Sequence, residues 1–296
     1  MEKVWKRKEG KGRPRTALQV SEGVPFLYFP ALEETGAVVH GFSTRLGGVS
    51  QGMYAAMNVS FTRGDREEAV RENYRRLGKA MGFSCDNLVC SDQTHTVNVR
   101  VVTEEDRGKG FARPKDYTDV DGLVTDVPGL VLATFYADCV PLYLVDPVRR
   151  CIGLSHAGWR GTAGKIGKKT VELMRERYGS RPEDLYAAVG PSICQDCYEV
   201  SGDVIEEFQK AFEQKFWSQL FYAKGGGKYQ LDLWRANEIV LLEAGLRPER
   251  ITITDLCTCC NPDLLFSHRA ALALEAAFGM ISSHCSRVYR STWNTQ

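Results

Sequence analysis

Hydrophobic and polar positions along the chain follow two different periods, which predicts a mixture of strands and helices. Runs that are continuously apolar, or apolar at every second residue, are typical of strands and occur at residues 37–44, 88–103, 122–126, 130–147, 151–158, 185–193 and 251–258. Apolar residues three and four positions apart indicate helices at residues 65–82, 162–178, 202–216, 233–245 and 269–279. Because strands and helices do not alternate strictly and hairpins are expected, the pattern favours an α+β fold with mixed sheets over a doubly wound fold. The run at 88–103 fits either one long strand or a bent pair.

The chain is expected to form a single domain, at residues 21–282, because no internal repeat, low-complexity segment or linker divides it. The preceding residues 1–20 carry many basic and few apolar side chains, which predicts a disordered basic arm. This arm is not followed by the apolar stretch of a secretory signal. We therefore expect a cytoplasmic protein.

Charge and composition argue against two classes of partner. The 38 basic and 37 acidic residues give a net charge of +1, so no field of one sign favours nucleic acid or a membrane surface. No run of about 18 consecutive apolar residues occurs, which argues against a transmembrane helix. The balance of apolar and charged residues is that of a globular protein with a buried core.

Three short segments carry the side chains with the strongest metal chemistry. His95 lies in QTHTVNV, Cys139 in ADCVPL and His156 in SHAGWRGT. Two imidazoles and one thiolate fill three positions of a tetrahedral Zn²⁺ and leave the fourth for water, as in catalytic zinc sites. Their spacing is unlike that of a compact zinc finger, so it leaves open whether they meet. Taken alone, a single His or Cys of this kind is more often a structural residue.

The segment after His156 has features of an anion site. Small residues leave this histidine with little cover, and a helix is predicted to begin with Thr162 as its N-cap. A helix N-terminus favours anions, and the Arg160 guanidinium suits phosphate or carboxylate. Asp138 is a charged residue inside the apolar run 130–147, which is usual for a hydrogen-bonded or functional group.

These three segments, with GFSTRLGGVS (41–50), GPSICQDCYEV (190–200) and CTCCNPDLLFSHR (257–269), resemble the YfiH/LACC1 family. That family is variously described as multicopper polyphenol oxidoreductase, purine nucleoside phosphorylase or peptidoglycan editing factor. The resemblance runs from about residue 37 to residue 282 and implies one domain of the α/β/β/α type. It places the family's metal ligands on His95, Cys139 and His156. The tail at 283–296 departs from the family's usual ending and is expected to be an extra element or disordered.

The resemblance implies an enzyme that cleaves purine nucleosides with phosphate and deaminates adenosine with water. The nucleosides would be adenosine, inosine, guanosine and methylthioadenosine, and one zinc ion per chain would activate water for attack on purine C6. Asp138 is the candidate proton shuttle, and holding a neighbouring turn or ligand is its alternative role. The other candidates are the catalytic residues Arg160, Arg45 and Gln93 and the substrate-binding residues Gly47, Gly48, Asn58, Gly161 and Thr162. For Asn58 a hydrogen-bonding role in a turn is favoured.

Two other enzyme classes stay open. A copper-dependent polyphenol oxidase is one, since copper binds nitrogen and sulfur donors, although five histidines are too few for the several coppers that reduction of O₂ requires. A hydrolase that edits peptidoglycan precursors is the other, with Cys139 as nucleophile and His156 or His95 as base. A non-enzymatic accessory protein is a further alternative. The expected partners are a purine nucleoside and phosphate, without nucleic acid or membrane, in a monomer or homodimer.

Two groups of cysteines remain without a role. Cys194 and Cys197 form a C-x-x-C pair, and a second group contains Cys257, Cys259 and Cys260. A structural zinc held by four thiolates from both groups is possible in principle. The sequence leaves open whether these cysteines bind a second metal.

Overall fold

The structure is a computed structural model that describes residues 5–8, 15–274 and 289–290. Within these residues the strands are β1 Ala17–Ser21, β2 Val24–Tyr28, β3 Phe42–Ser43, β4 Leu88–Cys90, β5 Val99–Val101, β6 Gly122–Thr125, β7 Val131–Ala133, β8 Val140–Asp146, β9 Cys151–Ala157, β10 Tyr186–Val189, β11 Glu199–Ser201, β12 Phe221–Gly225, β13 Lys228–Leu231, β14 Ile251–Ile253 and β15 Tyr289–Arg290. The helices are α1 Pro30–Glu33, α2 Glu67–Met81, α3 Trp159–Ala163, α4 Ile166–Tyr178, α5 Gly202–Ala211, α6 Trp217–Leu220, α7 Leu233–Glu243 and α8 His268–Leu274. None of these described helices is both long and apolar enough to cross a lipid bilayer.

A six-stranded sheet lies at the centre, with strand order β14-β10-β8-β9-β6-β5. Its middle is the β8–β9 hairpin, in which Asp146 pairs with Cys151. The Asp146 carboxylate accepts the backbone N–H groups of Val148 and Arg149, both at 2.9 Å, and so closes the turn. The outer pairs β10–β14 and β5–β6 are parallel, whereas the inner pairs are antiparallel. The sheet is therefore mixed, as the sequence predicts.

Both faces of this sheet are buried, because side chains alternate along β8. Leu142 and Leu144 face a hydrophobic cluster that includes residues of α4, α5 and α7. Tyr143 and Val145 face a second cluster, to which β4 and β7 contribute. These two strands pair in another sheet, whose opposite face packs on α2. The layers are helix, sheet, sheet and helix, so the predicted α+β fold of the α/β/β/α type is confirmed.

Several elements predicted as one strand or helix are two elements in the structure, and residues of the site lie at or near the breaks. The run at 88–103 is a bent pair, because β4 joins the smaller sheet and β5 joins the edge of the central sheet. The run at 130–147 is likewise split between β7 and β8. The helix predicted to begin at Thr162 begins earlier, with Gly158 as the N-cap of α3. It breaks before α4, where Lys165 adopts a positive φ of 58°.

Part of the predicted basic arm has a defined place. Arg7 forms a β-bridge with Leu256, and its guanidinium pairs with Asp255 at 2.6 Å. From Ala17 onward the chain forms β1, which pairs with β2. A β-bridge and an ion pair thus hold the segment around Arg7, and strand pairing holds β1. The sequence predicts disorder for both segments. For residues 1–4 and 9–14 the disorder stays a prediction, because these residues lie outside the described part.

The tail at 283–296 is described only at Tyr289–Arg290. These two residues pair antiparallel with β7 and extend the smaller sheet. The end of the helix predicted at 269–279 lies outside the described residues beyond Leu274.

Candidate metal centre and substrate cavity

The structure brings His95, Cys139 and His156 to one point. His156 lies near the end of β9, Cys139 directly precedes β8, and His95 lies in the turn between β4 and β5. The Cys139 Sγ is 3.9 Å from Nε2 of His95, and the two imidazole centroids are 5.0 Å apart. One nitrogen of each histidine and the Cys139 sulfur all lie within 4.8 Å of one another. Small adjustments would therefore let the three donors share one ion.

Asp121 holds two of these donors in place. Its carboxylate is completely buried, and Oδ1 is hydrogen-bonded to Nδ1 of His156 at 2.7 Å. The same carboxylate accepts the backbone N–H groups of Thr94, His95 and Thr96 at 3.0, 3.1 and 2.9 Å. It thereby fixes the turn that carries His95 and occupies Nδ1 of His156, leaving Nε2 for a metal. No pattern in the sequence indicates a role for this residue.

Electrostatics around the three donors favour a thiolate. Burial raises the pKa of Cys139, but the neighbouring His156 and His95 outweigh it and lower this pKa to about 6. Burial lowers the pKa of His156, whereas Cys139 and Asp121 raise it to about 9. Burial also disfavours the Asp121 carboxylate, but hydrogen bonds from His156 and the backbone hold its pKa below the ordinary value. Cys139 is therefore ionised near neutral pH, in the form that binds metals.

The backbone at the centre is tightly constrained. His95 and Asp138 adopt positive φ angles of 66° and 79°, a region that non-glycine residues rarely occupy outside special sites. Gly158 packs directly against two donors. A Cβ atom there would lie 3.0 Å from Cδ2 of His95 and 3.1 Å from Sγ of Cys139. The absence of a side chain at this position lets both donors keep their places.

The three donors line a cavity of about 620 Å³, within the usual size range of small-molecule sites. Aromatic rings of Phe61, Phe135 and Tyr198 contribute to its wall. Polar and charged residues make up much of the remaining wall, namely Ser60, Thr62, Arg63, Ser91, Asp92, Gln93, Lys115, Asp138, His268 and Arg269. A ligand combining an aromatic base with a polar, anionic part suits such a lining.

Two predicted catalytic residues, Asp138 and Gln93, lie in this wall and also hold loops together. The Asp138 carboxylate accepts the Thr258 hydroxyl at 2.6 Å and the backbone N–H of Arg269 at 2.7 Å. The Gln93 amide donates to the backbone oxygen of Phe135 and accepts its N–H, both at 2.7 Å. These contacts favour the positioning role that the sequence leaves open for Asp138.

The anion site predicted after His156 lies outside the cavity lining. Arg160 is exposed, and its guanidinium lies over the Trp159 ring at 4.3 Å. Gly161 and Thr162 are buried within α3, where the Thr162 hydroxyl accepts a hydrogen bond from the Asn237 amide at 3.0 Å. Because α3 already begins at Trp159, Thr162 lies within the helix and contacts α7 instead of capping a helix that opens on the cavity.

The loop that contains Arg45, Gly47 and Gly48 also lies outside the cavity lining. The Arg45 guanidinium donates to the backbone oxygens of Ala55 and Pro262 at 3.0 and 2.8 Å. Gly48 packs closely on another part of the backbone, because a Cβ there would lie 2.1 Å from the oxygen of Ala56. These residues hold loops together, and nothing in their contacts indicates phosphate.

Asn58 is completely buried and serves a turn, as favoured from the sequence. Its amide donates to Asp65 at 2.9 Å and accepts the N–H of Ser60 at 3.0 Å. The turn presents residues 60–63 to the cavity. The sequence gives no prediction for these residues, nor for Lys115, His268 and Arg269, which also line the cavity. The pattern FSHR in a segment shared with the resembled family was a signal for the last two.

Comparison with known proteins assigns the chain to a family. A sequence model described as multi-copper polyphenol oxidoreductase laccase matches residues 39–283. The chain belongs to this family. Purine nucleoside phosphorylase YlmD from Geobacillus stearothermophilus is 40% identical over 239 residues, which cover 79% of this chain and 85% of the relative. Adenosine deaminase RL5, from an unknown prokaryotic organism, is 37% identical over 78% of this chain and 88% of its own length.

A solved structure of a family member shares the fold. The crystal structure of the hypothetical protein YfiH from Bacillus licheniformis matches with a TM-score of 0.82 at 32% identity, covering 92% of this chain and 97% of that one. The resemblance to the YfiH/LACC1 family is thus confirmed.

The residues present fit a metal of the kind that the family description implies. A buried imidazole oriented by a carboxylate, a second imidazole and a thiolate form a donor set of the type that holds catalytic metals. Zinc and copper both accept nitrogen and sulfur donors, so this set by itself does not decide between them.

Proposed function

We propose that this chain is a zinc-dependent purine nucleoside phosphorylase that also deaminates adenosine, with adenosine, inosine, guanosine and methylthioadenosine as substrates. The observation that carries the proposal is the convergence of His95, Cys139 and His156 in the wall of a cavity of about 620 Å³. Relatives named purine nucleoside phosphorylase and adenosine deaminase support both activities. A bound Zn²⁺ supplies Lewis-acid activation of water or of a substrate oxygen.

The cavity suits a nucleoside. Its volume lies within the range of pockets that enclose small ligands. The rings of Phe61 and Phe135 offer apolar surface to a purine, and polar neighbours such as Ser91 and Thr62 offer hydrogen bonds to a ribose. The chemistry of the lining residues and the volume of the cavity support this assignment.

Lys115 is our candidate for binding phosphate. Its ammonium donates to the backbone oxygen of Ser91 at 3.0 Å and to the Asp92 carboxylate. An ammonium has three donors, so a third is available to a phosphate oxygen in the cavity. Dihydrogen phosphate held there would attack C1′ of the ribose as the bond to the purine nitrogen breaks, and the proton that this phosphate gives up would pass to the departing purine nitrogen.

The test is an assay of adenosine with and without phosphate, in which adenine, inosine and hypoxanthine are separated by chromatography. Adenine that forms only with phosphate reports phosphorolysis, and inosine formed without phosphate reports deamination. We expect both products from zinc-loaded protein. Absence of all three products would overturn the proposal.

A second candidate is a hydrolase with Cys139 as nucleophile, which the lowered pKa of this thiol favours. Iodoacetamide separates the two mechanisms. In the metal-loaded protein a nucleophilic thiol should react, whereas a metal-bound thiolate should stay protected until a chelator is added. Elemental analysis of protein purified without added metal distinguishes zinc from copper.

A further inference from the structure

Four cysteines that the proposed reaction does not use converge beside the cavity. Cys194 and Cys197 form one C-x-x-C segment, and Cys257 and Cys260 form a second. Their four Sγ atoms all lie within 4.8 Å of one another, and those of Cys197 and Cys260 are 3.5 Å apart. Four sulfurs bound to Zn²⁺ at about 2.3 Å are about 3.8 Å from one another. The cluster therefore already has nearly the dimensions of a tetrahedral thiolate site.

Backbone N–H groups and a lysine offset part of the cost of negatively charged sulfur in this cluster, although burial and the neighbouring thiols raise the pKa of Cys197 and Cys257. Cys257 is completely buried, and its Sγ accepts the backbone N–H groups of Cys194 at 3.2 Å and Cys260 at 3.4 Å. Such donors stabilise a thiolate over a thiol. The Lys8 ammonium interacts electrostatically with Cys194 and Cys260 and pairs with Asp196 at 2.8 Å. These contacts partly offset the charge that four thiolates would bring.

We propose that Cys194, Cys197, Cys257 and Cys260 bind a second Zn²⁺ in a closed, structural site. Four protein thiolates leave no position for water or substrate, in contrast to the three donors of the cavity. The second ion joins two segments that lie far apart in the sequence and meet at the parallel bridge between Ser192 and Cys257.

This second site braces the wall of the cavity. Thr258, which directly follows the ligand Cys257, donates its hydroxyl to Asp138 at 2.6 Å. Ile193, which directly precedes Cys194, donates its N–H to the backbone oxygen of Asp138 at 3.0 Å and lines the cavity. Both segments therefore hold the residue next to Cys139. The structural ion would fix the loop that presents the Cys139 thiolate.

Elemental mass spectrometry on the full chain, purified without added metal, tests the proposal. We expect two zinc ions per chain in the wild type and one in Cys139→Ala, which retains the four-cysteine site. The double variant Cys194→Ser/Cys257→Ser should lose the second ion. Cys259→Ser is the matched control, because this thiol lies in the same segment but outside the four, and it should retain both ions.

A second measurement does not depend on whether the double variant folds. Cobalt loaded into Cys139→Ala should give a charge-transfer absorption with the intensity of four thiolate ligands. Removing that ion should increase hydrogen exchange at residues 193–198 and 256–261. The proposal is overturned if Cys139→Ala binds no metal, if iron replaces zinc at the cluster, or if intact mass shows that these thiols form disulfides.

Discussion

Oδ1 of Asp121 lies 2.7 Å from Nδ1 of His156 and also accepts the backbone N–H of His95 at 3.1 Å. One buried carboxylate therefore positions two of the three candidate metal donors, one from β9 and one from the turn between β4 and β5. Ligands that are fixed in this way before a metal arrives lose less conformational freedom on binding it. Asp121 is consequently as important to the metal centre as the three donors, because it positions two of them.

The variant Asp121→Asn should weaken metal binding by about 10- to 100-fold, the usual effect of losing such a partner. The amide has nearly the same shape but lacks the charge that holds His156 and the N–H groups. Competition with a coloured chelator measures the affinity. Asp119→Asn is the matched control, because Asp119 is exposed and its carboxylate accepts the Thr94 hydroxyl, whereas His156 pairs with Asp121. Equal affinity in both variants would contradict the role of Asp121.

Adding a single methyl group at Gly158 should disturb the centre. In Gly158→Ala the new Cβ would lie 3.0 Å from His95 and 3.1 Å from Cys139, so both side chains must move. We expect at least about tenfold weaker metal binding, which corresponds to about 1.4 kcal/mol. Gly202→Ala, whose Cβ would meet no atom closer than 4.0 Å, serves as control. Unchanged metal affinity in Gly158→Ala would show that the donors adopt another geometry when loaded.

The pKa of Cys139 makes its reactivity in metal-free protein depend on pH. Because the thiolate is the reacting form, alkylation by iodoacetamide should be nearly constant above about pH 7. It should fall as pH decreases through about 6, the pKa to which the two histidines lower this thiol against the effect of burial. Cys85, whose pKa burial raises to about 11, should stay unlabelled throughout and is the internal control. Peptide mass mapping after chelation measures the labelling of Cys139 and of Cys85. A pH midpoint of Cys139 labelling near the ordinary thiol pKa would refute the proposed electrostatics.

Phosphate binding by Lys115 predicts a selective kinetic effect. Lys115→Gln should raise the KM for phosphate about tenfold, since a charge-assisted hydrogen bond contributes about 1.5 kcal/mol. The KM for adenosine should change much less. Lys169→Gln, at an exposed position on α4, removes the same charge away from the cavity and should leave both constants unchanged. A KM for phosphate that Lys115→Gln leaves unchanged would place the anion elsewhere.

The layered fold can be predicted from the sequence, because the periodicity of each strand and helix is visible within a short segment. The three donors can be predicted because they lie in short segments that resemble a known family. It does not predict Asp121, since a carboxylate that accepts three backbone N–H groups leaves no periodic pattern. The sequence predicts Arg160 as an anion-binding residue and Arg45 as a catalytic residue, but both lie outside the cavity lining, because their positions depend on tertiary contacts. Arg45 donates to the backbone oxygen of Pro262, and α3 begins at Trp159 instead of after Thr162.

The most direct test measures turnover against metal returned to chelated protein, using adenosine and phosphate. In the wild type, adenine formation should be absent without metal and should rise in proportion to the zinc bound at His95, Cys139 and His156. Cys139→Ala should stay inactive at every zinc concentration, while Cys85→Ala, at a thiol outside the cavity lining, should behave as the wild type. Full turnover without metal, or by Cys139→Ala, would contradict the account.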